Sequence, residues 1–228
     1  MASTVRQQDI LQKVQAKGLR NIAWSKMPTS GIVLVTGFRG EGKTALSWWM
    51  ADFLRKEKGY PTNVIAYGLH KNGVKLLPKW AQNSASKPSE LAAAKPSIIV
   101  ADEAAFSANA RRSMSDDSVQ LMKLFAICRH KGHLMIFISQ TSRQVDIQIV
   151  EQSDLLLMKK PSALQVKTAR RELREQTQAA FTLLSAKRDS KASVYVYDPK
   201  TDAGKLLAAS MPKWWTKKLS TMYAGATL

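Results

Sequence analysis

The stretch Gly37-Phe38-Arg39-Gly40-Glu41-Gly42-Lys43-Thr44 constrains this chain more than any other feature, because it satisfies G-x-x-x-x-G-K-[ST] at every fixed position. It lies between the short apolar run Gly31-Ile-Val-Leu-Val-Thr36, which reads as a buried strand, and a predicted helix over Lys43 to Lys56. That context is what a phosphate cradle needs. Glycines let backbone N–H groups turn inward, and the helix N-terminus adds favourable partial charge for an anion. The eight residues are therefore expected to bind nucleotide phosphates. Lys43 should reach the β- and γ-phosphates of ATP, and the Thr44 hydroxyl should hold Mg²⁺. Arg39 and Glu41 occupy variable positions of the motif and are expected to be solvated.

The same grammar recurs downstream. Asn63-Val-Ile-Ala-Tyr67 reads as a second strand and Ile98-Ile-Val-Ala101 as a third. Leu134-Met-Ile-Phe-Ile138, Asp154-Leu-Leu-Leu-Met158 and Ser193-Val-Tyr-Val-Tyr197 complete the set. Most of these runs are continuously apolar rather than alternating, which implies burial on both faces. Helices between them imply parallel crossovers. Helical spacing predicts a helix over 4–18, through Val5, Ile10, Leu11 and Val14, another from Asp117 to Arg129, and a charged one around 164–186. Residues 70–96 read as loop with a short helix, given Gly73, Pro78, Pro88 and Pro96. The fold class is α/β, a three-layer sandwich with a mainly parallel central sheet. The expected organisation is an N-terminal helical extension over 1–30, a core over 31–200, and a basic, aromatic tail over 201–228.

Ligands in such sheets bind beyond the carboxyl ends of the strands, where the polar residues collect. The strand Ile98–Ala101 runs into Asp102-Glu103. Asp102 is placed to hold the magnesium shell, and Glu103 to orient and deprotonate the attacking water. Two acids at a strand end are common; roughly 60 residues after a phosphate cradle they become a strong signal. The strand Leu134–Ile138 ends in Ser139-Gln140-Thr141, and an amide at Gln140 could touch both γ-phosphate and water.

Charge points to the partner. The chain of 228 residues carries 35 Lys or Arg against 17 Asp or Glu, a formal +18. Such a field favours polyanions, nucleic acid first and anionic membrane second. Residues 159–228 hold 14 basic against 5 acidic residues, half of the excess. Lys159, Lys160, Lys167, Arg170, Arg171 and Arg174, with Lys187, Arg188 and Lys191 beyond, form a candidate phosphate-backbone track; a solvated helix with Arg–Glu pairs is the alternative. Lys71, Lys75 and Lys79 offer a second basic loop. No apolar run approaches the roughly 18–20 residues of a membrane span. The lone Cys128 excludes an internal disulfide and a cysteine-based zinc site, which points to a reducing intracellular setting. His70, His130 and His133 lack metal-ligand company.

These residues resemble the HerA/FtsK division of P-loop ATPases. The resemblance rests on GFRGEGKT, on IIVADEA, and on Arg129-His-Lys-Gly-His-Leu-Met-Ile-Phe-Ile-Ser-Gln140, and covers residues 31–158. Arg129-His130-x-Gly132, followed by Gln140 and Asp146, looks especially like the genome-packaging ATPases of membrane-containing viruses and the Zot-like assembly ATPases of filamentous phages. The resemblance implies a RecA-like core of the ASCE type, with an extra strand between the strand before the phosphate loop and the strand ending in Asp102. It implies a homo-oligomeric ring, often a hexamer, that hydrolyses ATP with Mg²⁺. Arg129 and Arg143 are the candidates for an arginine finger supplied in trans, with Arg111-Arg112 a further option. The expected function is translocation of double-stranded viral DNA into a capsid. The alternative is a Zot-like virion-assembly or secretion ATPase acting on protein. A Zot-like protein usually carries a transmembrane segment, so the expectation leans to packaging. The partners expected are duplex DNA and a capsid or membrane-vertex protein, in the host cytoplasm or on the virion. Trp48-Trp49 reads as core and interface. Met211-Pro-Lys-Trp-Trp-Thr-Lys-Lys-Leu219 is expected to dock on protein, a neighbouring subunit, with base or backbone contact and membrane-surface anchoring as the alternatives.

Overall fold

In the computed structural model, the structure describes residues 22–69, 71–102, 125, 128–140 and 147–220. Eight strands order themselves as β3-β2-β4-β5-β1-β6-β7-β8 in one sheet. They are β1 (Gly31–Thr36), β2 (Asn63–Tyr67), β3 (Asn83–Ala85), β4 (Ser97–Asp102), β5 (Leu134–Ile138), β6 (Leu155–Met158), β7 (Ser193–Asp198) and β8 (Ala203–Ala208). Every residue of β1, β5 and β6 is buried, as is β4 up to Ala101. Continuous apolar runs end up with both faces covered because helices pack on a parallel sheet from both sides. β5 lies between β4 and β1, so the extra strand implied by the resemblance is present.

The chain falls into two compact units that interleave in sequence. The first comprises Met1–Met27, Leu34–Lys43 and Ser139–Ser210; the second comprises Pro28–Val33, Thr44–Ile138 and Met211–Leu228, each over its described residues.

In the second unit the pairing is parallel throughout. β2 pairs with β4 from Asn63↔Ser97 to Tyr67↔Ala101, and β4 with β5 from Ile98↔Leu134 to Asp102↔Ile138. The helix α1 (Lys43–Leu54) buries Leu46, Trp48, Met50, Ala51 and Leu54. The short helices α2 (Lys71–Val74) and α3 (Pro88–Ala93) fall in the stretch read as loop with a short helix. So does β3, which pairs in parallel with β2 from Ile65↔Asn83 to Tyr67↔Ala85. Its sequence, Asn-Ser-Ala, carries no strand signal; the ladder offered by β2 makes it a strand.

The Trp-Trp segment docks inside this unit. Trp214 meets Trp48 edge-on at 6.4 Å and Trp80 at 5.8 Å. Its Nε1 points at Asp52 across 3.5 Å, and the Arg55 guanidinium stacks 4.0 Å over Trp80. Asp52 also accepts from Arg55 at 2.8 Å and pairs with Lys56 at 2.9 Å. Burial raises its pKa, but these cations outweigh burial and hold the carboxyl below its ordinary range. The tail helix α7 (Lys217–Ser220) buries Leu219.

The first unit carries the antiparallel end of the sheet. β6 pairs with β7 through Leu156↔Tyr197 and Met158↔Tyr195, and β7 with β8 from Ser193↔Ala208 to Asp198↔Ala203. β8 falls within the expected tail over 201–228: residues 203–208 belong to the sheet, and the polar turn after Asp198 closes a hairpin. Trp24 Nε1 donates to the Ala208 carbonyl at 2.9 Å. The described part of the expected N-terminal extension forms only a single 3-10 turn, Trp24–Lys26; residues 1–21 lie outside the described residues.

The charged helix expected around 164–186 is broken. α5 (Ala163–Thr168) ends, Ala169 and Arg170 are extended, a 3-10 turn covers Arg171–Leu173, and α6 (Arg174–Ser185) follows. No glycine or proline marks the break. Ala169 and Leu173 are both buried around it, so packing overrides a helix-compatible sequence. α4 (Ile147–Gln152) precedes β6. The helix expected over 117–129 lies almost wholly outside the described residues.

Candidate functional site

In the first unit, β1 delivers the chain directly into the glycine-rich turn. Gly37 has φ +138°, and its Cα sits so close to the neighbouring strand end that an added Cβ would lie 2.7 Å from the Lys159 carbonyl oxygen. The turn is fastened there by two backbone bonds: Lys159 N–H donates to the Thr36 carbonyl at 2.9 Å, and Phe38 N–H donates to the Lys160 carbonyl at 3.0 Å. Lys43 is buried, and its ammonium donates to the carbonyls of Gly37 at 2.9 Å and Phe38 at 3.1 Å. The ammonium therefore folds back over the loop onto two of its own carbonyls. Phe38, Arg39, Gly40 and Gly42 are exposed and Glu41 half-buried. Solvation is as expected for Arg39; Glu41 is instead drawn towards the Ser190 hydroxyl, 3.5 Å away.

The chain re-enters the same unit at Ser139. Ser139 is buried, with its N–H on the Val35 carbonyl at 2.9 Å. Gln140 follows with an exposed side chain, while its carbonyl accepts from Gln165 Nε2 at 2.7 Å. Gln165 closes a reciprocal cap at the start of α5: its N–H donates to Ser162 Oγ at 3.1 Å, and its Oε1 accepts from Ser162 N–H at 2.9 Å. Sequence reading missed this support for Gln140. The signal was present as Ser162-x-x-Gln165 directly after Pro161, the spacing of a capping box.

Lys159 is the largest departure from expectation. Expected on a surface track, it is 1% exposed. Its Nζ donates to the carbonyls of Lys191 at 2.5 Å and Ser193 at 2.7 Å. Burial pulls its pKa down to about 8 against the attraction of Glu41 and Asp189, with Lys191 adding to the fall. A side chain so enclosed cannot meet a nucleic-acid backbone, so Lys159 leaves the track. Of the others, Lys167, Arg171 and Arg174 are exposed, and Lys160 and Arg170 are half-buried.

In the second unit, Thr44 is the second residue of α1 and is half-buried. Asp102 closes β4, half-buried and in register with Ile138. Arg129 is exposed in the turn before β5, with its carbonyl accepting from Gly132 N–H at 3.2 Å. It thus stands at the amino end of β5, opposite to the end that carries Gln140. Lys71, Lys75 and Lys79 are exposed. His133 is buried, and desolvation pulls its pKa down. Glu103, Arg143, Arg111, Arg112 and His70 lie outside the described residues.

Comparison of the sequence with protein-family models and with curated proteins finds no match. Solved structures do match. The genome packaging NTPase B204 from Sulfolobus turreted icosahedral virus 2, in complex with ATP-gammaS, shares 13% identity at a TM-score of 0.56, over 81% of this chain and 100% of that one. The fold is that of a P-loop ATPase. The DNA-packaging ATPase B204 from Sulfolobus turreted icosahedral virus gives the same TM-score of 0.56 at 16% identity, over 80% of this chain and 98% of that one. EccC from Thermomonospora curvata, its ATPases 2 and 3 in complex with a signal sequence peptide, gives 0.51 at 11% identity, with 84% of this chain covering 38% of that one. Against the P-loop ATPase fold, the glycine-rich turn after β1, the acid closing β4 and the amide after β5 each stand at the carboxyl end of a parallel strand. The structural neighbours are the kind of ATPase that the motifs resemble. No helix among the described residues is long and apolar enough to cross a membrane.

Proposed function

We propose that this chain is an ATP-hydrolysing motor that moves double-stranded viral DNA into a capsid. The observation that carries the reading is the phosphate loop itself, fastened to the end of β6 with Lys43 folded back over it, in a fold shared with two B204 packaging ATPases. The loop N–H groups and the start of α1 bind the phosphates, and Lys43 neutralises the β- and γ-oxygens. Thr44 and Asp102 offer a hydroxyl and a carboxylate, hard oxygen donors that suit Mg²⁺. Among the described residues no group of three acids, histidines or cysteines could hold a metal alone. Thr44 and Asp102 would hold Mg²⁺, which would supply positive charge against the nucleotide phosphates. Glu103 takes the proton of the attacking water, and Gln140 orients that water against the γ-phosphate.

The excess of positive charge supports a cationic track for a polyanion. Lys167, Arg171 and Arg174 are exposed along it, and Lys160 and Arg170 are half-buried beside them. The remaining parts of the proposal are a homo-oligomeric ring, a capsid or membrane-vertex docking protein, and a place in the host cytoplasm or on the virion. The test is ATP turnover with and without duplex DNA. Lys43→Ala should lose nucleotide binding, whereas Glu103→Gln should bind ATP and turn it over at least ~100-fold more slowly. Duplex DNA should accelerate the wild type, and its affinity should fall by about 0.9 log units per log unit of salt for each phosphate neutralised. Neutralising Arg170, Arg171 and Arg174 together should flatten that slope. The fold shared with EccC, a secretion ATPase, favours a second reading, in which the cargo is protein. Stimulation by a coat protein and not by DNA would select it.

A further inference from the structure

Lys159 joins two parts of the first unit that are far apart in sequence. Its backbone N–H holds the Thr36 carbonyl, the carbonyl of the next residue holds Phe38 N–H, and its carbonyl oxygen and Cβ abut Gly37. The same residue sends its ammonium away from the loop to the carbonyls of Lys191 and Ser193. Those carbonyls flank the end of a 3-10 turn, Ser190–Ala192, which Asp189 caps by accepting from Lys191 N–H at 3.0 Å. The turn also reaches the phosphate loop directly, through Ser190 Oγ and Glu41 Oε2. One residue thus clamps the start of the loop at Gly37, and the turn it holds meets the middle of the loop at Glu41.

A lysine is costly in this place. An ammonium taken out of water needs strong acceptors, and two carbonyls supply them. An apolar side chain would fill the space but leave both carbonyls unmet and the turn unanchored. The surrounding charges favour the ammonium: Glu41 and Asp189 stand on its attractive side, and Lys191 opposes them. These are the groups that face it from the phosphate loop and from the turn.

We propose that Lys159 is a positioning residue for nucleotide binding, which fixes the phosphate loop by tying residues 36–41 to the 189–193 turn. The proposal rests on the reading of residues 37–44 as a nucleotide site. It assigns Lys159 no contact with ATP. The loop must hold its N–H groups in one array before phosphate arrives, and an unanchored loop spends binding energy on ordering itself. The loss therefore falls on affinity and KM, while kcat, which depends on Glu103 and Gln140, is retained.

The experiment measures binding of a fluorescent ATP analogue with Mg²⁺, and ATPase KM and kcat, on the full chain at 20 °C below each variant's melting temperature. Lys159→Met should bind roughly tenfold more weakly than wild type, the scale of a lost charge-assisted bond, with KM rising in step and kcat nearly unchanged. Asp189→Ala breaks the same link from its exposed end and should weaken binding about threefold, the scale of one solvent-exposed hydrogen bond. Asp189→Asn keeps the acceptor for Lys191 N–H and should restore affinity. If both Lys159→Met and Asp189→Ala fold and bind as wild type does, Lys159 supports only the core and the proposal is wrong. If Lys159→Met does not fold, the Asp189 pair decides: equal affinity for the alanine and asparagine variants overturns it. A wild-type chain that binds no nucleotide would overturn the nucleotide site as well.

Discussion

Replacing Gly37 by alanine tests the phosphate loop through its geometry alone. The added Cβ would stand 2.7 Å from the Lys159 carbonyl oxygen, 2.8 Å from Lys159 Cβ and 2.9 Å from the carbonyl carbon. Two of these atoms are backbone, held by the bonds to Thr36 and Phe38, so they cannot swing aside. At φ +138° an L-residue costs about 1–3 kcal/mol, and forcing a methyl into filled space costs about 1–3 kcal/mol more. Alanine returns about 0.4–1 kcal/mol by restricting the unfolded chain. The net is a loss of about 3 kcal/mol. Gly40 is the internal control: it has φ +82° but nothing within 4 Å of a built Cβ. Gly40→Ala therefore meets only the left-handed backbone cost of about 1–2 kcal/mol, less the same return, and should lose well under half as much. For a chain of this length each kcal/mol moves the melting temperature by roughly 2–4 °C. Gly37→Ala should melt about 6–12 °C below wild type and Gly40→Ala only a few degrees below. Urea titration should show the same order with unchanged m-values. Nucleotide at 100 times its Kd protects wild type by about 2.7 kcal/mol, and that protection should shrink in Gly37→Ala. Equal melting of the two variants would falsify the close approach of Gly37 to Lys159.

Three further outcomes follow from other elements. Arg129 stands before β5, whose five residues span roughly 17 Å, so its side chain cannot reach the γ-phosphate of its own subunit. Arg129→Ala should bind ATP and assemble yet hydrolyse about 10³-fold or more slowly, and mixing it with Lys43→Ala should restore activity at junctions that pair an intact loop with an intact arginine. A dead mixture of demonstrably co-assembled chains makes Arg129 structural. Trp214→Ala removes a half-buried indole packed on Trp48 and Trp80, so it should cost about 2 kcal/mol, near half the loss for a fully buried Trp. A melting temperature unchanged in the isolated chain would mean that the segment serves a neighbour instead. Lys159 has a folded pKa of about 8, below its unfolded value of 10.5, so the unfolded chain binds more protons between them. The stability of wild type relative to Lys159→Met should therefore rise as pH climbs from about 8 towards 10.5, and a difference that is flat with pH in urea unfolding would contradict the depressed value.

The features legible in the chain are those whose physics is local. A glycine-rich turn between an apolar strand and a helix announces itself, because the strand, the turn and the helix N-terminus are contiguous. Strands β1, β4, β5 and β6 are legible for a related reason: burial on both faces demands an unbroken apolar run, and few other structures do. Their carboxyl ends then mark Asp102, Gln140 and the loop as polar residues in one class of position. Tertiary structure decided the rest. Asn83-Ser-Ala85 is a strand only because β2 offers it a ladder, and Ala203–Ala208 only because β7 turns back. The break between α5 and α6 has no breaker residue and follows the burial of Ala169 and Leu173. Trp214 resembles any exposed anchor until Trp48 and Trp80 are seen to receive it. Lys159 resembles its neighbour Lys160 in every sequence property, and only the carbonyls of Lys191 and Ser193, more than thirty positions away, make one a buried clamp and leave the other half-exposed. A sequence records which side chain can bear burial with partners; whether those partners arrive is settled by long-range packing.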